Sequence, residues 1–514
     1  MSGLPIEILD GSNTIGGTKI LVTNNNHGLL LDFGLNFKQY GIYFEEYLKP
    51  RTCFGIKDFW DLDLLPHYKD LYRPDLCQCE LDAPRDLPVD TIDGVILTHA
   101  HEDHCGLISM LKSNIPIISS STSFSIMRAV QDSGKSDVQK QICYIAQYNL
   151  EQCRNHQVLK SPDWHKNPHS GRDAFVMTND LSDELSNLWK RKARPDGGGR
   201  NINPGEILNL DESTIDWDIT SFPIDHSIMG ACAVKIETES GNIFYTGDIR
   251  KSGAQRANTD SFVSKASSDS PWVLIVEGTQ VTREGECKTT EEQCKENCKT
   301  LIDDYRDKFI IADFSARNIE RLYSFHDIAD ELSRKLVITA KDAYMLHCLQ
   351  TIDSSKPLPS DTLLIFDAPK SDEEGWEKWI YETFKPYLVS ASTISENLSD
   401  YILAFSFFDI KYLNDIKPDE GLYLYSSSEP FTEEQQIDIG RLSNWIERYN
   451  LELRGIKFEN KEWQIEPGYH CSGHATKTEL EEIIREISPE NLIPVHTIDR
   501  NWFKKFEDIS NIVI

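Results

Sequence analysis

Residues 98–105, with the sequence THAHEDHC, carry a dense cluster of side chains that bind metal ions. His99, His101, Asp103 and His104 fall within six positions. Imidazole and carboxylate groups suit Zn²⁺, and Mn²⁺ is a plausible substitute. One short loop can therefore supply ligands to two adjacent ions. The competing interpretation is a chance group of structural histidines, which so dense a cluster disfavours.

The cluster directly follows residues 92–97, an apolar run that is rich in branched side chains. Such a short run predicts a buried strand. The cluster then lies where a central strand ends and a loop begins, the usual place for chemistry on an α/β sheet.

A site with two metal ions needs more ligands than one loop provides. Three further residues of the right type end or follow strand-like runs: His226, Asp248 and His496. A single histidine after an apolar run is usually structural. Because the pattern repeats here, we predict that all three are ligands.

The order of these residues resembles the metallo-β-lactamase superfamily, whose two-metal hydrolases carry a His-x-His-x-Asp-His loop. A later His, a Thr-Gly-Asp and a last His follow it there. The segments CSGHA at 471–475 and PVH at 494–496 resemble the β-CASP branch of nucleases, most closely the ribonuclease J family. Glu277, on a strand-like run, and residues 309–321 also resemble that branch.

The resemblance implies an α/β fold, a metallo-β-lactamase αββα sandwich with an inserted β-CASP α/β domain. Residues 1–283 would form the first part of the sandwich, 284–465 the inserted domain, and 466–514 the completion. Alternating strand-like and helical segments, such as 335–339 and 289–304, agree with βαβ units in the insertion.

The resemblance also implies two Zn²⁺ ions and a role for each ligand. One ion would be bound by His99, His101 and His226, and the other by Asp103, His104 and His496, with Asp248 bridging both. Two such ions lower the pKa of a shared water, so that hydroxide can attack a phosphodiester near neutral pH.

Asp103, Glu277 and His474 are the predicted catalytic residues. His474 would protonate the leaving oxygen and Glu277 would orient it, because a neighbouring carboxylate raises the pKa of an imidazole. The competing role of His474 is metal support or phosphate binding.

Four residues are predicted to contact the substrate. The backbone at Ser472 and Gly473 would cradle a phosphate, since glycine permits close approach. Ser315 and Arg317 would grip the nucleic-acid backbone.

Composition predicts an ordinary globular protein, with 39% hydrophobic and 26% charged residues. The sequence has no 18-residue apolar run and no signal-peptide pattern at its start. The 12 cysteines are scattered and predict free thiols. We therefore expect a cytoplasmic protein without a membrane segment. A second metal site at Cys287, Cys294 and Cys298 is disfavoured.

The net charge of −30 opposes a polyanionic substrate at face value. Two bound metal ions would offset this locally, and we interpret the acidity as a property of the outer surface. The basic segment at residues 190–194 could bind a phosphate backbone, but we favour the interpretation that it is a solvated helix end that leads into a loop. His156, His165 and His169 are predicted to lie on the surface.

The predicted function is that of a zinc-dependent ribonuclease, a 5′-to-3′ exonuclease acting on single-stranded RNA in RNA processing or decay. A DNA-directed β-CASP nuclease is the first alternative. A small-molecule metallohydrolase is disfavoured by the long insertion. A catalytically dead partner subunit is disfavoured because every ligand is retained. The sequence leaves the oligomeric state open.

Three positions depart from the family pattern without removing a ligand. Met229 replaces a frequent proline, Gly278 a common serine, and Thr497 an expected glycine. We expect these departures to change only local loop geometry.

Overall fold

A computed structural model describes residues 4–77, 81–82, 84–135, 137–161, 163, 166–283, 289–427, 433–459 and 462–514. In these residues, two β-sheets lie face to face and a third sheet lies apart from them. No described helix combines the length and the apolar character needed to cross a membrane.

The first sheet has seven strands within the described residues. From the third strand onward, all neighbours in this sheet run parallel. The third and fourth strands therefore end at the same edge. In spatial order the strands are Ile6–Asp10, Lys19–Asn24, His27–Phe33, Thr91–Ile96, Ile117–Ser119, Ala174–Val176 and Ile207–Asn209.

The second sheet has six strands within the described residues. Its last four strands run parallel, so that residues following them meet at one edge. In spatial order the strands are Asp218–Pro223, Cys232–Thr238, Gly241–Tyr245, Val273–Glu277, Asn491–Val495 and Asn511–Ile512.

Apolar side chains on the inner faces hold these two sheets together. Val22, Leu31 and Ile96 of the first sheet pack in one cluster with Val234 and Ile275 of the second. Burying such a layer is the main favourable contribution to folding. Helices cover the outer faces: Ser121–Ser133 and Asp183–Lys190 on the first sheet, Arg256–Asp269 and Lys477–Ile487 on the second.

The third sheet is entirely parallel and comes from residues 309–454. In spatial order its described strands are Leu388–Val389, Leu363–Phe366, Lys335–Ile338, Tyr401–Leu403, Phe309–Asp313, Gly421–Tyr425 and Leu451–Arg454. Long helices flank it: Glu291–Asp304, Ile319–Glu331, Ala340–Leu349, Gly375–Thr383 and Glu433–Arg448.

The predicted fold class is confirmed. The third sheet occupies the chain between Val273–Glu277 and Asn491–Val495, which are hydrogen-bonded neighbours in the second sheet. The domain bounds given above stay a prediction, and the first boundary falls at residues 284–288, outside the described residues.

The prediction that His169 lies on the surface is wrong. His169 is only 4% exposed, and its strand His169–Gly171 pairs with Tyr144–Ile145. The basic segment follows the end of the helix Asp183–Lys190, and Lys190 and Lys192 are exposed, as predicted. Arg191 between them donates to the Tyr344 hydroxyl at 3.0 Å and so joins the helix Ala340–Leu349 to the sandwich. His156 is exposed, as predicted, whereas His165 lies outside the described residues.

Cys294 and Cys298 lie on one face of the helix Glu291–Asp304 and are buried in the apolar core. Ten described cysteines are free thiols, as predicted. Cys287 lies outside the described residues.

Candidate metal centre

The seven predicted ligands meet where the carboxyl edges of the two facing sheets come together. Their ligand atoms form two groups, each with all members within 4.8 Å of one another. The first group is His99, His101 and His226, and the second is Asp103, His104, Asp248 and His496.

Three imidazole nitrogens of the first group face a common point. His99 Nε2 and His226 Nε2 each lie 3.1 Å from His101 Nδ1. Ligand nitrogens at zinc distances in a tetrahedron are separated by about 3.3 Å. The spacing of this group therefore fits one tetrahedral ion.

Asp248 lies between the two groups. Its Oδ2 is 3.2 Å from His104 Nε2 in the second group and 3.7 Å from His99 Nε2 in the first. Asp103 Oδ2 is 3.2 Å from His496 Nε2. Asp248 thus has the position of a carboxylate that bridges two ions.

Hydrogen bonds fix the orientation of the ligand rings from outside. His104 Nδ1 lies 2.7 Å from Asp32 Oδ2, and His226 Nδ1 lies 2.6 Å from the Gly473 carbonyl. Both partners are acceptors, so each Nδ1 donates a hydrogen bond outward and each Nε2 is directed toward the centre. Outer-shell acceptors of this kind are typical of zinc sites.

Two hydroxyl groups act in the same way. Thr98 Oγ1 donates to Asp32 Oδ2 at 2.9 Å and can accept from His99 Nδ1 at 3.1 Å. Thr279 Oγ1 likewise donates to Glu277 and accepts from His496 Nδ1 at 2.9 Å. His99 and His496 therefore also present Nε2 to the centre.

The residues fit a pair of divalent cations. Among the described side chains, His104 Nε2 and Asp248 Oδ1 are buried without a hydrogen-bond partner. Such atoms destabilise a protein unless a ligand satisfies them. Burial lowers the pKa of His99 and His226 well below the usual value and that of His101 to about 4. These imidazoles are therefore neutral and ready to bind metal.

Asp32 contacts the candidate ligands directly and was not predicted from the sequence. It is buried, has a φ of 53° and accepts hydrogen bonds from Thr98, His104 and Tyr245. The available signal was an acid near the end of an apolar strand, but only strand pairing puts it beside the histidines.

Asp32→Asn is expected to lower zinc affinity by roughly 10- to 100-fold, because the His104 ring loses its anionic acceptor. Competition with a chromogenic chelator measures this. Asp93→Asn is a matched control, since Asp93 pairs with the exposed His27 and with Trp217 instead. Equal zinc affinity in both variants would contradict the role of Asp32.

His474 lies beside the ligands, with its ring centroid 5.2 Å from that of His226. Its Nδ1 is 3.0 Å from both carboxylate oxygens of Glu277. Burial lowers the pKa of His474, but Glu277 and Asp248 outweigh it and raise that pKa to about 9. Asp248, Glu277, His474 and His496 also form a third metal-compatible group, so the metal-supporting role of His474 stays open.

Contacts of Ser472 and Gly473 fix the segment that carries His474. Ser472 Oγ accepts from the His474 amide at 3.1 Å, and the Ser472 carbonyl accepts from Arg250 at 3.1 Å. A Cβ on Gly473 would come within 2.7 Å of Ser227 Oγ and 3.3 Å of the His226 ring. The glycine is therefore required for close packing against a predicted ligand.

The other two predicted substrate contacts lie on the loop after Phe309–Asp313. Ser315 is exposed, and Arg317 donates to the Ala100 carbonyl at 3.0 Å. Arg317 thus reaches the predicted metal loop from the third sheet.

Two of the departures from the family pattern are linked. A Cβ on Gly278 would lie 2.9 Å from Cβ of Thr497 and 2.8 Å from the Phe503 ring. Thr497 and Phe503 fill the space that a serine at position 278 would need.

Comparisons with known proteins agree with this geometry. A model of the metallo-beta-lactamase superfamily matches residues 76–120, which include the histidine-rich loop. A model described as a Zn-dependent metallo-hydrolase RNA specificity domain matches residues 462–501, which include His474 and His496.

Relatives named ribonuclease J match most of the chain. That of Helicobacter pylori (strain B128) is 20% identical over 96% of this chain and 56% of its own length. That of Corynebacterium glutamicum is 22% identical over 96% of this chain and 54% of its own length. The chain therefore spans about half the length of these curated relatives.

A solved structure shares the fold. It is a protein of unknown function from Enterococcus faecalis V583, 19% identical, with a TM-score of 0.67 over 99% of this chain and 97% of that one. The chain therefore has the fold of that protein, matches a metallo-β-lactamase superfamily model over its histidine-rich segment, and is similar along nearly all of its length to proteins named ribonuclease J.

Proposed function

We propose that the protein is a zinc-dependent ribonuclease that hydrolyses single-stranded RNA at a two-metal centre, as a 5′-to-3′ exonuclease. The observation that carries the proposal is the convergence of seven ligand-type side chains, which include two buried atoms without a hydrogen-bond partner, His104 Nε2 and Asp248 Oδ1. The match to an RNA specificity domain supports RNA as the substrate. A cytoplasmic location stays a prediction from the sequence.

The ligands would hold two zinc ions, with Asp248 shared between them. When bound, such ions acidify a water molecule and neutralise the charge of a phosphodiester. Asp32, Thr98 and Thr279 keep the imidazole rings in the orientation that binding requires.

His474 would donate a proton to the 3′ oxygen that leaves. Glu277 accepts from Ile249 N at 2.8 Å and from Thr279, so its carboxylate is fixed before substrate binds. Because both oxygens of Glu277 face His474 Nδ1, the other nitrogen, Nε2, is free to serve as the acid.

Glu277→Gln is expected to shift the alkaline limb of the kcat profile to lower pH. The charge of Glu277 raises the pKa of His474, so the acid form persists to higher pH in the wild type. Kinetics between pH 6 and 10 measure the limb. An unshifted limb would show that His474 is not the titrating acid.

RNA cleavage with labelled strands tests the proposal. Labels at the 5′ or 3′ end, on strands with 5′ monophosphate or triphosphate, distinguish exonucleolytic from internal cutting, and matched DNA strands test the alternative substrate. We expect zinc-dependent release of the 5′ label as mononucleotide. Cutting of DNA alone, or undetectable RNA binding at low salt, would refute the proposal.

A further inference from the structure

Arg317 connects the third sheet to the loop that carries the predicted ligands His99 and His101. It follows a strand of the third sheet, Phe309–Asp313, yet its Nη1 donates to the Ala100 carbonyl at 3.0 Å. Ala100 is 2% exposed and lies between the predicted ligands His99 and His101. A hydrogen bond there fixes the backbone that carries both rings.

Arg317 also forms an ion pair with Glu102 in the same loop. Arg317 Nη2 lies 3.7 Å from Glu102 Oε2, and the other carboxylate oxygen of Glu102 contacts Lys140. Glu102 precedes Asp103 in the chain, so the ion pair between Arg317 and Glu102 restrains the part of the loop that carries Asp103. The planar guanidinium suits two simultaneous contacts better than an ammonium group.

Hydrogen bonds hold the backbone on the C-terminal side of Arg317. The Asn318 amide donates to the Ser315 carbonyl at 2.9 Å, and the Asn318 side chain caps the helix Ile319–Glu331. Arg321, one turn further on, is buried and donates to Glu291 at 2.7 Å. These contacts attach the backbone at Arg317 to the third-sheet unit.

We propose that Arg317 is a positioning residue that couples the third-sheet unit to the metal centre by holding residues 99–103 in their ligating conformation. This inference rests on the dinuclear centre of the proposed function and gives Arg317 a different role from a grip on the RNA backbone. The hydrogen bond to Ala100 and the ion pair with Glu102 both direct the guanidinium toward the ligand loop of the protein itself.

Arg317→Ala is expected to weaken zinc binding by about 10-fold, the lower end of the range for outer-shell changes. In metal-free protein, amide exchange in a peptide covering residues 98–106 should accelerate by at least about 10-fold. Arg317→Lys should recover part of both effects. Glu102→Gln, which keeps the Ala100 bond, should cause a smaller loss. Arg306→Gln is the control, because Arg306 is exposed and pairs only locally with Asp303.

Two results would overturn the inference. The first is wild-type zinc affinity together with wild-type exchange in Arg317→Ala. The second is retained zinc with a slope of log binding constant against log salt reduced by about 0.7, which marks a lost phosphate contact. If the wild type holds no zinc, the proposed function fails, whereas exchange in the metal-free protein still decides the role of Arg317.

Discussion

Replacing Asp103 by alanine is expected to abolish RNA hydrolysis and to remove zinc from the second ligand group. Asp103 Oδ2 faces His496 Nε2 at 3.2 Å, and its backbone carbonyl accepts from the Gly17 amide at 3.0 Å. Alanine keeps the backbone contact and deletes only the ligand. The loss of zinc affinity should exceed the roughly 10- to 100-fold cost of an outer-shell change.

Zinc content by mass spectrometry and single-turnover cleavage measure the two effects. Asp61→Ala is the control, because the Asp61 carboxylate is exposed on the short helix Lys57–Asp61 and pairs with Lys57. Near-wild-type cleavage by Asp103→Ala would refute the ligand assignment.

His474→Ala is expected to lower kcat by about 10²- to 10⁴-fold, the usual contribution of a general acid, while both zinc ions are retained. The ring of His474 bonds to Glu277, and its removal leaves the seven proposed ligands in place. We expect kcat to fall while KM changes little, because the proton is donated in the transition state.

His27→Ala serves as the control, since His27 is an exposed histidine paired with Asp93. Loss of zinc in proportion to the loss of turnover would make His474 a structural ligand. Unchanged kcat would remove it from the mechanism.

The fold and the location of the site could be predicted from sequence because residues of metal-ligand type directly follow apolar, strand-like runs. The apolar runs before His99, His226, Asp248 and His496 all form strands, and each of these residues lies within three positions of its strand's end. Parallel neighbours end at the same edge, so residues far apart in sequence converge there.

The supporting contacts could not be predicted, since they depend on strand register and on packing between sheets. Asp32 follows an apolar run like any other, and only the pairing of His27–Phe33 with Thr91–Ile96 brings it to His104. The packing of Gly473 against Ser227 and His226 likewise follows from the tertiary structure, and its predicted approach to a phosphate stays a prediction.

The contacts of residues in the insertion at 150–205 could not be predicted for a related reason. His169 lacks an apolar run before it, but a short three-stranded sheet among the described residues buries it. Arg191 stands in a segment typical of a solvated helix end, and its contact with Tyr344 arises only when the two parts of the molecule pack together.

We propose that two zinc ions are held by His99, His101, Asp103, His104, His226, Asp248 and His496. Anomalous X-ray diffraction at the zinc edge, from crystals of protein loaded with zinc alone, would locate these ions. We expect two peaks about 3.5–4 Å apart, with Asp248 in contact with both. No peak within reach of Asp248, or zinc bound only elsewhere on the chain, would contradict it.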